Sequence, residues 1–494
     1  MKKIKKIMLI VPPHTIPVGS EKRVSPPLGL AYLASTLLQN GYKVLILDSL
    51  IEGFENIYIK DDRLTWGLSW QDIRKKIEVY SPDVVGVSCL FTEQRKNAYK
   101  LCEVVKDIDF SIITVMGGVH PTVMPEETLG NPYVDYIILG EGEEKFLNLL
   151  NYLNENKNIN SIDGVGFKYN GKIIVNPHKD FISNLDNIPF PAWDLLPMNE
   201  YNKINKATRF PVKLHPAFPV IASRCCPGKC NFCSTHLLWG KKYRTRSSEN
   251  VIKEIKYLVD NYGIKEIFFW DDNFAHSNKR IIDIFEGLKK IGISLPWSMS
   301  NGVALYSLNE SFLEKIREYG CYKITFTVES GSKRVLKEII HKPFTELEKL
   351  KPIIDKSKEL GFQTAGVFII GFPGETMKEI QETIDYAKEL DFDYVGFSIA
   401  IPYPGTELYK ECQEKSLFVK DFSLDNLYWG KGHITTPDFT PEILEQIRIK
   451  AWNEINFSNK DKIKRVATIM QVSEQEIENI RLNTLKKLKE KTNE

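Results

Sequence analysis

The chain has 494 residues, with 66 Lys and Arg against 64 Asp and Glu, a formal net charge of +2 and 43% hydrophobic residues. That length predicts two to four domains, each large enough to bury a core, and the near balance of charge removes the electrostatic case for a nucleic-acid partner. No stretch approaches the ~18 apolar residues of a membrane span, so the expectation is a cytoplasmic protein with no nucleic acid and no transmembrane segment.

The N-terminus opens on Lys2-Lys3-Ile4-Lys5-Lys6 and the apolar run Ile7 to Val11, which mimics a signal peptide. Pro12-Pro13 ends the run short of the ~7–15 residues such a segment needs, so it reads as a first strand. Further apolar runs at Lys43 to Leu47, Val84 to Ser88, Ile112 to Met116 and Tyr136 to Leu139 are separated by helix-length segments. This βαβ rhythm predicts a Rossmann-like, doubly wound parallel sheet over residues 1–150. Ligands bind such sheets at the carboxyl ends of the strands. Those ends carry Pro13 and His14, Asp48, Ser88, Gly117, Gly118, His120 and Thr122, and Gly140, Glu141 and Gly142. Each glycine reads equally well as a tight turn. None of the stretches is a G-x-G-x-x-G fingerprint opening a helix, which weakens a nicotinamide reading.

Residues 151–212 read as a connector. Val165 to Val175, broken by Asn170-Gly171, predicts a hairpin with a type I′ turn. The proline-punctuated stretch from Asp186 to Pro197 is unsuited to regular structure.

The strand–helix rhythm resumes over residues 213–408, with strands expected at Pro219 to Ser223, Ile264 to Trp270, Leu295 to Ser300, Lys323 to Val328, Gln363 to Gly371 and Tyr394 to Ile401. Six such units predict an open (β/α)6 barrel whose functional residues gather at the strand ends. Those ends hold Cys226-Pro-Gly-Lys-Cys230-Asn-Phe-Cys233, Asp271-Asp272-Asn273, Asn301, Glu329-Ser330-Gly331-Ser332, Gly371-Phe372-Pro373-Gly374-Glu375 and Pro402 to Thr406. A lone acidic residue at such a position serves as often as a helix N-cap. Aromatic residues near the expected mouth, including Trp239, Trp270, Trp297, Tyr403 and Trp429, are consistent with a planar or apolar substrate and equally with ordinary core. Residues 409–494 predict a helical C-terminal cap, with Thr440-Pro441 opening one helix and Ser473 to Glu476 a capping box opening the last.

The cysteine loop is the most specific signal. A structural zinc site takes four Cys or His ligands, usually as two close pairs, and Cys225 and His236 do not complete one. Three thiolates in one loop instead leave one iron of a four-iron cubane without a protein ligand. The remaining cysteines, Cys89, Cys102, Cys321 and Cys412, are scattered and read as buried apolar residues, and free thiols argue for a reducing compartment.

Ser223 to Cys233 resembles the CxxxCxxC loop of the radical S-adenosylmethionine (SAM) enzymes, usually S-R-G-C-P-x-x-C-x-F-C. The resemblance implies that Cys226, Cys230 and Cys233 ligate a [4Fe-4S] cluster, that SAM chelates the open iron, and that reductive cleavage yields a 5′-deoxyadenosyl radical. It further implies SAM contacts from Phe232, Asp271, Asp272, Asn273, Asn301, Glu329, Ser330, Gly371 and Pro373. Cys225 departs from the family's glycine; a small buried thiol filling that position is the expectation. Ser25 to Ala34 (S-P-P-L-G-L-A-Y-L-A), Gly117 to Thr122 and Gly140 to Glu143 resemble the N-terminal cobalamin-binding-type domain of many such enzymes. That implies cobalamin contacts from Pro13, His14, Ser88, Gly117, Gly118, His120, Thr122, Gly140, Glu141 and Gly142, although the D-x-H-x-x-G motif is absent. The implied activity is cobalamin-dependent C-methylation of a small-molecule, peptide or lipid substrate, with an external electron donor such as flavodoxin or ferredoxin. Cobalamin-independent coupling, cyclisation or oxidation of a lipid or tetrapyrrole is the alternative, and a non-catalytic corrinoid- or metal-binding sensor is the alternative from a different class.

Overall fold

The computed structural model describes residues 3–205, 210–303, 305–342 and 346–492. The chain forms two compact units: Met1–Ala207 with Ser234–Arg244 and Ser423–Asn426, and Thr208–Cys233 with Thr245–Phe422 and Leu427–Glu494. Among the described residues no helix is long and apolar enough to cross a membrane.

The first unit is built on a seven-stranded sheet. Its strands are β1 (Lys6–Val11), β3 (Lys43–Asp48), β6 (Val84–Ser88), β7 (Ile113–Gly117), β8 (Tyr136–Ile138), β9 (Val165–Tyr169) and β10 (Lys172–Val175); β2 (His14–Pro17), β4 (Ile57–Lys60) and β5 (Arg63–Trp66) form a separate sheet. The order is β10-β9-β8-β7-β6-β1-β3, parallel from β8 through β3. Ile7, Met8, Leu9 and Ile10 are all fully buried. A strand covered by helices on both faces has no solvent side, so its sequence is a continuous apolar run rather than an alternation. Because β1 lies between β3 and β6, the chain reverses its winding there. The crevice of such a sheet opens at that switch point, flanked by the loops after β1 and β6.

The hairpin belongs to this sheet rather than to a connector. Asn170 and Gly171 have φ of 48° and 75°, as a type I′ turn requires, and β9 pairs antiparallel with β8. The three-stranded sheet β2-β5-β4 was not expected. Every residue of β4 is exposed, so its sequence carries no burial pattern to read.

The second unit contains six parallel strands in sequential order: Ala217–Val220, Glu266–Phe269, Trp297–Val303, Cys321–Glu329, Gln363–Ile370 and Tyr394–Ile399. Helices such as Ser248–Tyr262 and Met377–Glu389 alternate with them, giving the open (β/α)6 arrangement. At the amino ends of the strands, buried Glu266 accepts from Tyr322 Oη at 2.6 Å, Lys213 N at 2.9 Å and Leu214 N at 2.8 Å. Buried Lys323, its pKa lowered to about 8 by desolvation, donates to Pro211 O at 3.0 Å. These two buried side chains fasten the entering chain at the end of the barrel that serves stability. The last strand is closed off by a side chain: Asn456 Oδ1 accepts from Val395 N and its Nδ2 donates to Val395 O, both at 2.8 Å. One amide thus satisfies both backbone groups of Val395 on a strand edge that is otherwise open to pairing. The helices Pro441–Asn456, Lys460–Met470 and Glu474–Thr492 follow. The last opens on the expected capping box, with Glu476 N donating to Ser473 Oγ at 3.2 Å and Ser473 N to Glu476 Oε2 at 2.8 Å.

Candidate functional site

In the second unit the cysteine loop leaves the carboxyl end of the first strand. Cys226, Cys230 and Cys233 are half-buried, whereas the other five cysteines are buried. A Cβ built on Gly228 would lie 3.5 Å from Cys226 Sγ and 3.9 Å from Cys230 Sγ, so these two sulfurs converge over Gly228. The loop is pinned on both sides, Asn231 N donating to Ile340 O and Leu408 N to Asn231 O, each at 3.0 Å. Burial pushes the Cys226 and Cys230 thiols up, Cys230 to about 12, so a ligand must supply the charge that makes them thiolates. Among the described residues no three His, Cys, Asp or Glu converge on a single ion. A cubane, whose thiolates sit on three different irons, takes a wider spread of sulfurs, and a trio of half-exposed thiols is the donor set it requires.

Cys225 is fully buried with φ 75°, and its Sγ points to Cys226 O at 3.3 Å. The left-handed conformation explains why glycine suits this position. The thiol is directed at backbone, as expected of a small buried filler.

The acidic residues divide into two groups. Asp271 is 1% exposed and bonded to the base of the cysteine loop, accepting from Ala222 N at 3.0 Å and from Ser223 Oγ. It therefore holds the loop rather than facing the mouth. Asp272 and Asn301 are exposed, and buried Asn273 donates to Tyr306 Oη at 3.2 Å. Glu329, in the left-handed region at φ 69°, accepts from Lys342 Nζ at 2.9 Å. Ser330 is fully buried, 2.9 Å from Thr383 Oγ1, and so docks its turn onto the helix Met377–Glu389. Phe232 packs against Phe372 with ring centroids 5.8 Å apart, which brings the cysteine loop to the turn containing Gly371 and Pro373. Glu375 Oε2 accepts from Gly371 N at 2.6 Å and Phe372 N at 3.1 Å, and burial raises its pKa to about 7. Lys342, Tyr306 and the inward role of Glu375 escaped the sequence reading. Of the aromatic residues singled out there, Trp297 is core, stacked on Phe285 at 4.3 Å.

At the carboxyl edge of the first unit, Pro13, His14 and Ser88 lie beside the switch point, with Gly117 next to them. His14 packs edge-on against Trp66 and Phe91, and desolvation lowers its pKa to about 4, so the ring is neutral. Leu90 and Phe91, following β6, are 51% and 52% exposed, and among the described residues a Cβ on Gly117 would meet only Ile138 O, at 4.0 Å. Open space beside exposed apolar side chains suits the apolar face of a corrin.

The other predicted residues at this edge are taken up internally. His120 is fully buried, with Nε2 2.8 Å from Glu127 Oε2 and 3.1 Å from Tyr99 Oη, and Nδ1 3.4 Å from Thr92 Oγ1. Its ring is committed to the scaffold. Thr122 Oγ1 donates to Gly118 O at 2.7 Å and accepts from Gly140 N at 2.9 Å, tying two glycine loops together. Gly140, at φ 65°, makes room for the His178 ring, whose Nε2 lies 2.1 Å from where a Cβ would stand. Glu141 accepts from Arg244 Nη1 at 3.0 and 2.8 Å and from Ile182 N at 2.9 Å, and Gly142 packs on Leu33. Arg244 was not singled out in the sequence; it also donates to Ile182 O at 2.6 Å and Trp239 O at 2.8 Å.

Two family descriptions match the chain: the B12 binding domain over residues 15–150 and the Radical SAM superfamily over residues 220–387. An uncharacterized methyltransferase of Pyrococcus horikoshii is 37% identical, covering 93% of this chain and 94% of that protein. Cytidylyl-2-hydroxyethylphosphonate methyltransferase of Streptomyces wedmorensis is 34% identical, covering 88% and 87%. Among solved structures, the cobalamin-dependent SAM radical enzyme OxsB with aqua-cobalamin and SAM bound superimposes with a TM-score of 0.72 at 19% identity, covering 98% of this chain and 72% of that one.

Proposed function

Because the chain belongs to the radical SAM enzymes that carry a B12-binding domain, we propose that it methylates an unactivated carbon of a small-molecule substrate. The observation that carries this is the trio of half-exposed thiols in a chain whose other cysteines are buried. Cys226, Cys230 and Cys233 hold the [4Fe-4S] cluster. Bound there, the cluster and SAM supply a 5′-deoxyadenosyl radical, and cobalamin supplies a transferable methyl group.

The chain's own residues orient these groups and exclude water, which is where most of the acceleration in such chemistry comes from. Glu329, Asp272, Asn273 and Asn301 provide acceptors for an ammonium and ribose hydroxyls. Phe232, Gly371 and Pro373 form an apolar wall for a nucleoside. Asp271 and Ser330 act through the loops they hold. In the first unit, Pro13, His14, Ser88, Gly117 and Gly118 line the cobalamin site. His120, Thr122, Gly140, Glu141 and Gly142 shape that edge from within. A flavodoxin- or ferredoxin-type protein delivers the electron.

The similarity to the Streptomyces wedmorensis protein over most of both chains makes a nucleotide-bearing small molecule the first substrate class to test. The protein, purified anaerobically with cobalamin supplied, is expected to hold both iron and cobalt. With SAM and a low-potential reductant it forms 5′-deoxyadenosine, and with cytidylyl-2-hydroxyethylphosphonate as probe it moves deuterated methyl from labelled SAM to carbon. Iron without cobalt under saturating cobalamin would defeat the methylation reading.

A further inference from the structure

One carboxylate in the barrel gathers donors from two different strand-end turns. Glu379, in the first turn of the helix Met377–Glu389, makes a capping box with its own N-cap, Oε2 accepting from Thr376 N at 3.0 Å and Thr376 Oγ1 at 2.8 Å. It also bonds outside its helix. Arg334 Nε donates to Oε1 at 2.7 Å and Nη2 to Oε2 at 2.6 Å, and Ser332 Oγ donates to Oε1 at 3.2 Å. The same Nη2 donates to Gly374 O at 2.8 Å. By contrast Glu476, in the capping box of the last helix, accepts among the described residues only from Ser473.

The stretches joined in this way follow the fourth and fifth strands of the barrel. Glu329 and Ser330 lie just before Ser332 in one, and Gly371 and Pro373 just before Gly374 in the other. The first is pressed onto the helix at backbone distance. A Cβ on Gly331 would stand 2.8 Å from Glu382 O and 2.9 Å from Thr383 Cα, and Gly331 N donates to Thr383 Oγ1 at 3.0 Å. Arg334 also opens the π-helical turn Val335–Ile339, with left-handed His341 and then Lys342 beyond it. Single π turns concentrate at functional sites. The Arg334 side chain is 44% exposed and that of Glu379 11%. An ion pair with one partner so open to solvent adds little to stability. What its bidentate geometry supplies is a fixed placement of the groups it joins.

We infer that Arg334 and Glu379 are positioning residues for SAM, a clamp that sets the separation of the Glu329–Ser330 turn from the Gly371–Pro373 turn; this rests on the reading that those two turns bracket SAM at the cluster. Both act through the backbone they hold. A molecule contacted from two turns is bound well only when both stand at the right spacing, and a misplacement of about 1 Å can cost about a hundredfold.

The test is equilibrium binding of SAM to the anaerobically reconstituted full-length protein, with iron content and urea unfolding measured on the same samples. Glu379→Gln is the sharper variant. Glutamine serves a capping box as glutamate does, so the helix start is kept, while its single acceptor oxygen cannot hold Thr376, Arg334 and Ser332 together. SAM affinity is expected to fall about tenfold in Glu379→Gln and in Arg334→Met, with iron content and urea midpoint at wild-type values. The double variant should bind no more weakly than the worse single, because partners in one clamp are not additive. Arg334→Lys, a point charge without the planar fork, recovers part of the loss. Should Glu379→Gln unfold, Arg334→Met decides, since truncating a half-exposed side chain opens no buried gap. Unmoved SAM affinity overturns the inference, as do fully additive losses, or a loss of iron in step with SAM, which would make the pair a general brace. A wild-type protein that holds its cluster and binds no SAM overturns the underlying site reading instead.

Discussion

The two strand-end regions of this molecule both gather glycines and polar residues and differ in what those polar groups do. At the carboxyl edge of the first unit, His120, Thr122 and Glu141 are spent on internal bonds, and Gly140 on a close approach by His178. At the carboxyl end of the barrel, three thiols remain half-exposed while the residues behind them, Asp271 and Ser330, do the holding. A motif of glycine, histidine and acid thus encodes a scaffold in one region. A motif of cysteines encodes a donor set in the other, because thiols do not ordinarily brace loops.

The contrast is broken most directly at the thiols. Cys226→Ala is expected to lose iron and to bring 5′-deoxyadenosine formation below detection, while Cys412→Ala, which alters a buried thiol, keeps both; iron analysis and chromatography check this. The scaffold side is tested at the ion pair of Glu141 and Arg244, both under 6% exposed at the side chain. Arg244→Met leaves a buried carboxylate uncompensated and should cost about 3–5 kcal/mol, read from urea unfolding. Cobalamin affinity of the protein that remains folded should be unchanged, and a selective loss of affinity would make Glu141 a ligand-facing group.

Much of this was legible in the sequence for a physical reason. Strands such as Ile7 to Val11 are buried on both faces and leave continuous apolar runs, and the thiol spacing has few competing explanations. The strand Ile57–Lys60 was not legible because it is exposed throughout. Lys342 was not legible because a π turn and a left-handed histidine aim it, and neither leaves a compositional mark. His120 was expected to contact cobalamin, and the structure buries it and bonds both ring nitrogens within the first unit, an environment that a sequence does not display until the partners are known.

Smaller effects sharpen the comparison. Burial raises the Asp48 carboxyl to about 6, despite bonds from Tyr201 and Leu50. The native state then binds this proton before the unfolded chain does, so wild type should gain about 1–3 kcal/mol relative to Asp48→Asn as pH falls from 7 to about 4. Stability curves at a series of pH values measure this, and parallel curves would refute it. Smallest of all, Cys225→Gly relieves a left-handed side chain and should change stability by no more than about 1 kcal/mol with iron content intact. A loss of iron would make that thiol a ligand.

The central claim is that three sulfurs hold a cubane with one iron open. Mössbauer spectroscopy of the anaerobically reconstituted protein, recorded with and without SAM, tests it most directly. A [4Fe-4S] signal in which SAM shifts a single iron subsite is the predicted result; a spectrum without a cubane, or a cubane indifferent to SAM, would contradict it.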